Sequence, residues 1–226
     1  MLVITNIISH YRANGHITKG GAMSREMSSL IQQLKTEQLE VKLALQCAPL
    51  IAGLKVSNLL IISKKDEFRL LALIKNSGFC AYSLLQSDDK VTFLLFNRYQ
   101  LENFLAASPV LHLLSQSGYT RFSLDEILRK FSLRYEKYMN NHECFPHEMG
   151  VLLGYPIEDV KGFIDNEGKN FLYSGYWKVY ANVSEKVHIF NLFDNARKDI
   201  IKQIISGTAI EDIIANYQIE LQSAAV

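Results

Sequence analysis

Apolar positions recur along this chain with two different periods, and the change between them marks out the elements. Ser24 is placed to cap a helix running to about Leu34, with Glu26 favourable in its first turn. Leu39, Leu43, Ala44 and Cys47 then repeat at helical spacing. Pro49 predicts a break near Cys47, and Gly53 ends the segment. The period shortens at Val56–Ile62, an apolar run rich in branched residues that reads as a buried strand. Asp66–Asn76 returns to helical spacing through Phe68, Leu71, Ala72 and Ile74, and Gly78 stops it. Phe79–Leu85 and Val91–Phe96 flank the polar stretch Gln86-Ser87-Asp88-Asp89-Lys90, the pattern of a hairpin.

Beyond Tyr99 the helical period dominates. Gln100–Ala107 and Pro109–Gln116 predict two short helices, with Pro109 at a helix start. Ser123-Leu124-Asp125-Glu126 is a capping box opening a helix to about Met139. Ser184–Ile205 predicts a longer amphipathic helix, with Val187, Phe190, Phe193, Ile200, Ile201 and Ile204 near one stripe and Gly207 after it. A second capping box, Thr208-Ala209-Ile210-Glu211, opens a last helix to about Tyr217, and Leu221–Val226 reads as a frayed tail. The expectation is an α+β fold: a small mixed sheet of about three strands from residues 56–97, packed with helices, and a helical C-terminal half. Residues 23–220 read as a single domain.

Composition narrows the classes. With 226 residues and 48% apolar content the chain can bury a sizeable core. A formal charge of +1, with basic residues scattered, gives no footprint for nucleic acid or an anionic membrane. No apolar run reaches the roughly 18 residues needed to span a bilayer. Cys47, Cys80 and Cys144 are odd in number and form no CxxC pair, which predicts free thiols and a cytoplasmic setting.

Residues 1–22 differ from the rest, carrying Arg12 and Lys19 but no acid. Lys19-Gly20-Gly21 can be encoded by a purine-rich ribosome-binding sequence ahead of Met23. Translation is therefore expected to begin at Met23, or at Met27, with residues 1–22 a leader read through; otherwise they form a disordered tail. Their loss takes the charge from +1 to −1.

Residues 142–180 do not read as ordinary scaffold. They hold Pro146 and Pro156, five glycines (150, 154, 162, 168, 175), the only tryptophan and two of the six histidines. Much of this has a structural account. Pro146 and Pro156 suit helix starts, Glu148, Glu158 and Asp159 suit first turns, and Gly154 and Gly168 suit left-handed stops. Tyr176, Trp177 and Tyr180 suit packing anchors.

Phe145-Pro146-His147-Glu148-Met149-Gly150, Leu153-Gly154-Tyr155-Pro156-Ile157-Glu158-Asp159-Val160, Gly162-Phe163-Ile164 and Gly175-Tyr176-Trp177-Lys178-Val179-Tyr180 together resemble the signature of the bacterial domain-of-unknown-function family 3793. Cys47-Ala48-Pro49-Leu50-Ile51-Ala52-Gly53-Leu54-Lys55, with Asn58-Leu59, resembles its other block. The likeness covers roughly residues 40 to 195. It implies a cytosolic single-domain protein typical of anaerobic Firmicutes, associated with flavodoxin and iron-related gene neighbourhoods, and it implies no activity.

Three chemistries are compatible with these residues. His142, Cys144 and His147, with Glu148, supply ligand types that suit zinc, iron or haem, although His-x-Cys-x-x-His is not a finger spacing. Cys47, with His147 as base and Glu148 as orienter, would make a thiol enzyme, but Leu43, Ala44 and Leu45 before it suit a buried, inert cysteine. A groove lined by Tyr155, Tyr176, Trp177 and Tyr180, with Lys178 and His147 as polar groups, would take a flat ligand such as flavin or haem, or a protein partner. No GxGxxG follows a strand and there is no P-loop, so dinucleotide or ATP binding of those kinds is not expected. The leading expectation is a small-molecule or cofactor-binding protein. An adaptor for a protein partner and a Cys–His enzyme stand as alternatives.

Overall fold

The computed structural model describes residues 30–32, 34–36, 38–141 and 143–224. The expected leader, the start at Met23 or Met27 and the Ser24 cap fall outside these residues, as does His142. Helix α1 (Leu39–Ile51) leads to strand β1 (Ser57–Ser63), a single 3₁₀ turn (Lys64–Asp66) and α2 (Glu67–Ile74). Strands β2 (Cys80–Gln86) and β3 (Lys90–Phe96) form the hairpin. There follow α3 (Arg98–Leu105), α4 (Ser108–Gln116), α5 (Leu124–Asn141), the single turn α6 (Met149–Leu152) and α7 (Ile157–Asp165). A two-residue-per-strand hairpin, β4 (Tyr173–Ser174) and β5 (Lys178–Val179), precedes the long α8 (Val183–Ile205) and α9 (Ile210–Ala224).

The main sheet has the order β1-β3-β2. Both pairings are antiparallel, where a mixed sheet was expected. The α2 crossover does return β2 parallel to β1, but β3 folds back between them, so the two parallel strands never bond each other. The central position explains the sequence of β3. Val91, Phe93 and Leu95 join one core with β1 residues Leu60 and Ile62 and helices α1, α2, α8 and α9. Leu94 and Phe96 join a second core with Leu59 and helices α3 to α7. A strand covered on both faces needs apolar residues at every position rather than at alternate ones. The result is three layers, helices over each face of one small sheet.

Two further expectations are corrected. Helix α1 does not break near Cys47: it runs through Pro49 to Ile51. Proline removes the N–H that would bond the Leu45 carbonyl, and here Arg197 Nε donates to that carbonyl instead, at 3.1 Å. The buried face of α1 then holds the turn in place. The last helix passes Tyr217 and continues to Ala224. Leu221 explains this, because its methyl groups lie against Gly53, whose φ of +69° closes α1.

Candidate functional site

The 142–180 segment is organised around Asp159, in the first turn of α7. Its side chain is buried and accepts from Trp177 Nε1 at 2.7 Å, from the Tyr180 N–H at 2.7 Å and from the Ala181 N–H at 3.3 Å. One carboxylate thus fixes the β5 segment against α7. The approach is close: a Cβ at Gly162 would run into the Tyr180 ring, and one at Gly175 into Phe190. At Gly154, with φ +68°, a Cβ would lie 2.8 Å from Val56. These glycines let the second motif block press onto the end of the first.

Where the blocks meet there is a strip of rings and cations. Tyr155 and Trp177 stack with centroids 4.9 Å apart. Trp177 meets Phe190 edge-on at 4.5 Å, and Tyr176 meets Phe193 edge-on at 5.0 Å. Lys55 Nζ lies 5.3 Å from the Tyr155 centroid and donates to Asn58 Oδ1 at 2.6 Å. The Arg197 guanidinium lies 5.1 Å from the Tyr176 centroid, and Asp194 accepts from both Arg197 and the Tyr176 hydroxyl. Among the described residues Lys55 makes no ion pair with a carboxylate. Burial pulls its amine down to about 7, with the Arg197 charge adding to the depression and Cys47 opposing it. Lys55, Tyr176, Trp177 and Arg197 are half-buried, so each keeps part of its surface open.

A second cluster forms around His147 and Glu148. Glu148 is 1% exposed and accepts at Oε1 from Tyr119 at 3.0 Å and from Arg134 Nε at 2.9 Å. Burial, then the Glu148 charge, push the Tyr119 hydroxyl up. His147 packs between Phe145, at 5.4 Å, and Phe163, at 5.7 Å. Burial, then the Arg134 charge, hold its imidazole below the ordinary value. Glu148 Oε2 and His147 Nδ1 are both buried without a hydrogen-bond partner among the described residues.

The predicted lining separates into two groups. Tyr155, Tyr176 and Trp177 come together in the strip. Lys178 turns away from it: its Nζ donates to the Gly168 carbonyl at 2.6 Å and lies 4.8 Å from the Phe171 centroid. Tyr180 packs at Gly162, and His147 shares Phe163 with Lys178. Trp177 lies in the connection between β4 and β5 while Lys178 opens β5, and the two side chains meet different partners. Lys55, Asn58, Asp159, Asp194 and Arg197 belong to the site and were not singled out for it from the sequence. Lys55 and Asn58 carried a usable signal, a cation and an amide just past the Gly53 stop. Arg197 carried none, since its partner is a carbonyl 152 residues away.

Cys47 and His147 are not brought together. Cys47 is buried in the core with α1, and its Sγ donates to the Leu59 carbonyl at 3.9 Å. The Phe145 that His147 packs on belongs to the core of the other sheet face. Burial pushes the Cys47 thiol up to about 12, opposite to the shift that a nucleophile needs. Cys144 is exposed, and Cys80 packs on the sheet as a half-buried residue. Among the described residues no three His, Cys, Asp or Glu side chains are grouped to hold a metal ion, and His142 lies outside those residues. No helix among them is long and apolar enough to cross a membrane.

No curated protein and no solved structure matches the chain. A family model does: that of the protein of unknown function DUF3793 matches residues 43–214, which take in Lys55, Asn58, the whole 142–180 segment and Arg197, and the chain belongs to that family.

Proposed function

We propose that this protein binds a planar, anionic small molecule on the strip formed by Lys55, Tyr155, Trp177, Tyr176 and Arg197. The observation that carries the reading is the placement of Lys55. Its amine sits on an aromatic face and an amide oxygen, with no carboxylate ion pair among the described residues. An incoming anion favours the protonated form of that amine and gains a charge partner, and the half-buried Trp177 and Tyr176 offer apolar ring surface beside it. A flavin phosphate or haem combines both features. The three free thiols suit a reducing, cytosolic setting for such a protein.

Trp177 is the sole tryptophan, so intrinsic fluorescence reports on the strip directly. Titration with flavin mononucleotide or haem is expected to quench it saturably. Lys55→Met and Arg197→Gln should each weaken binding by about tenfold, roughly 1.4 kcal/mol. A flat titration with both probes would sink the reading. The strip would then be packing, and the adaptor alternative would be pursued by capture with a defined partner.

A further inference from the structure

Asp194 and Arg197 stand three residues apart on α8, a spacing that puts both side chains on one face of the helix. Arg197 is held on three sides. Its Nε donates to the Leu45 carbonyl at 3.1 Å, its guanidinium carbon lies 5.1 Å from the Tyr176 centroid, and a terminal nitrogen donates to Asp194 Oδ1 at 3.2 Å. The third contact differs from the other two. The Asp194 side chain is 58% exposed, while that of Arg197 is only 19% exposed. Asp194 is thus the solvent-side partner of a mostly buried cation. The same Oδ1 accepts from the Tyr176 hydroxyl at 2.8 Å. One carboxylate oxygen therefore occupies an N–H and an O–H of the strip. An ion pair with an exposed member contributes little, so this carboxylate is displaceable. Asp159, which bonds Trp177, is not: it is buried and held by three donors of its own segment.

We infer that Asp194 is a built-in competitor on Arg197, and that it makes the strip select a ligand whose anionic group is a phosphate over one that carries a carboxylate. The inference rests on the binding reading above and narrows its ligand class. An anion reaches the Arg197 N–H and the Tyr176 O–H by taking the place of Asp194, so the space it needs is the space an exposed side chain gives up. A ligand carboxylate exchanges like for like. It competes from solution against a group tethered beside the cation, whose effective concentration is on the order of millimolar or above. Its charge therefore gains it little. A phosphate monoester brings about −1.5 to −2 charges at neutral pH and three terminal oxygens. It can accept from the arginine and from the Tyr176 hydroxyl at once, with more charge than the carboxylate it displaces. The exchange then runs in the ligand's favour, and Asp194 turns out to solvent.

The test uses the full chain, Trp177 fluorescence and three flavins that share one ring system: riboflavin, which is uncharged; carboxymethylflavin, a carboxylate; and flavin mononucleotide, a phosphate. In the wild-type protein flavin mononucleotide is expected to bind about tenfold more tightly than the other two, which should lie within about twofold of each other. Asp194→Asn keeps the shape and removes the charge. Both anionic flavins should then bind about three- to tenfold more tightly, while riboflavin is unchanged. A carboxymethylflavin that matches flavin mononucleotide in the wild-type protein would overturn the inference. So would an equal change for all three flavins in Asp194→Asn, which is the mark of altered ring packing, or weaker binding of the phosphate. Each of those results includes saturable quenching and leaves the binding reading standing. No saturable quenching by any of the three, in either protein, would overturn both. If Asp194→Asn fails to fold, judged by its far-UV circular dichroism, the wild-type order of the three flavins still decides.

Discussion

His147 shows how far a residue's role depends on what surrounds it. In sequence it offers a ligand or a base; in the fold it is a ring among rings, with Phe145, Phe163 and a nearby Arg134 charge. Its folded proton affinity is lowered, first by burial and then by Arg134. The unfolded chain therefore takes up the proton first as pH falls. The contribution to stability is complete above the unfolded value of 6.5 and is lost as pH falls through it toward the folded value. Urea unfolding between about pH 7 and pH 5 should show this as a decline that His147→Gln flattens, while exchange of the exposed His112 leaves it. An unchanged slope in His147→Gln would place the titration elsewhere. Glu148 could be anticipated as a helix-start acid, and it does stand at the start of α6. Its bonds to Tyr119 and Arg134 could not, since both partners lie several helical turns or more away in sequence, outside the local window around Glu148.

At the scale of elements, α1 and α8 depend on each other. Pro49 leaves the Leu45 carbonyl without its helical donor, and Arg197 of α8 supplies one. Arg197→Gln should lower stability by about 1–2 kcal/mol, the loss of a bond from a charged donor to a partly buried carbonyl. Pro49→Ala restores a backbone N–H in register with Leu45. In that background the Arg197→Gln cost should fall by about 1 kcal/mol, a coupling that a double-mutant cycle in denaturant measures directly. Additive costs would refute the exchange of donors. Local sequence reading places a helix break at proline because it counts only the donors within the segment. The compensation comes from a side chain far along the chain, so no window around Pro49 contains it. Helix and strand boundaries elsewhere lay close to those expected: Val56–Ile62 became Ser57–Ser63, and the hairpin loop fell at 87–89.

The whole molecule hangs on β3, which serves both cores. Phe93 faces the core with α1 and α8, and Leu94 faces the core that Trp177 packs against. Truncation of either should cost about 3–4 kcal/mol. A shared strand makes the two cores one cooperative unit. Phe93→Ala should therefore move the Trp177 fluorescence transition and the far-UV circular dichroism transition by the same amount, although Trp177 lies on the other side of the sheet. Two separated transitions would show that the cores unfold independently.

The amino-acid sequence by itself determined the main helices, the three-strand sheet, the helical C-terminal half and the crowding of proline, glycine and aromatic residues in 142–180. Each of these follows from local periodicity, turn chemistry or the crowding of special residues in one stretch. Tertiary structure alone decided which of those residues meet. It divided the predicted lining between two clusters, set Cys47 and His147 on opposite faces of the sheet, and brought Lys55 and Arg197 to Tyr155, Trp177 and Tyr176. The physical reason is that a side chain's chemistry is set by desolvation and by neighbouring charges. Both are properties of packing between distant segments, and the order of residues along the chain does not contain them.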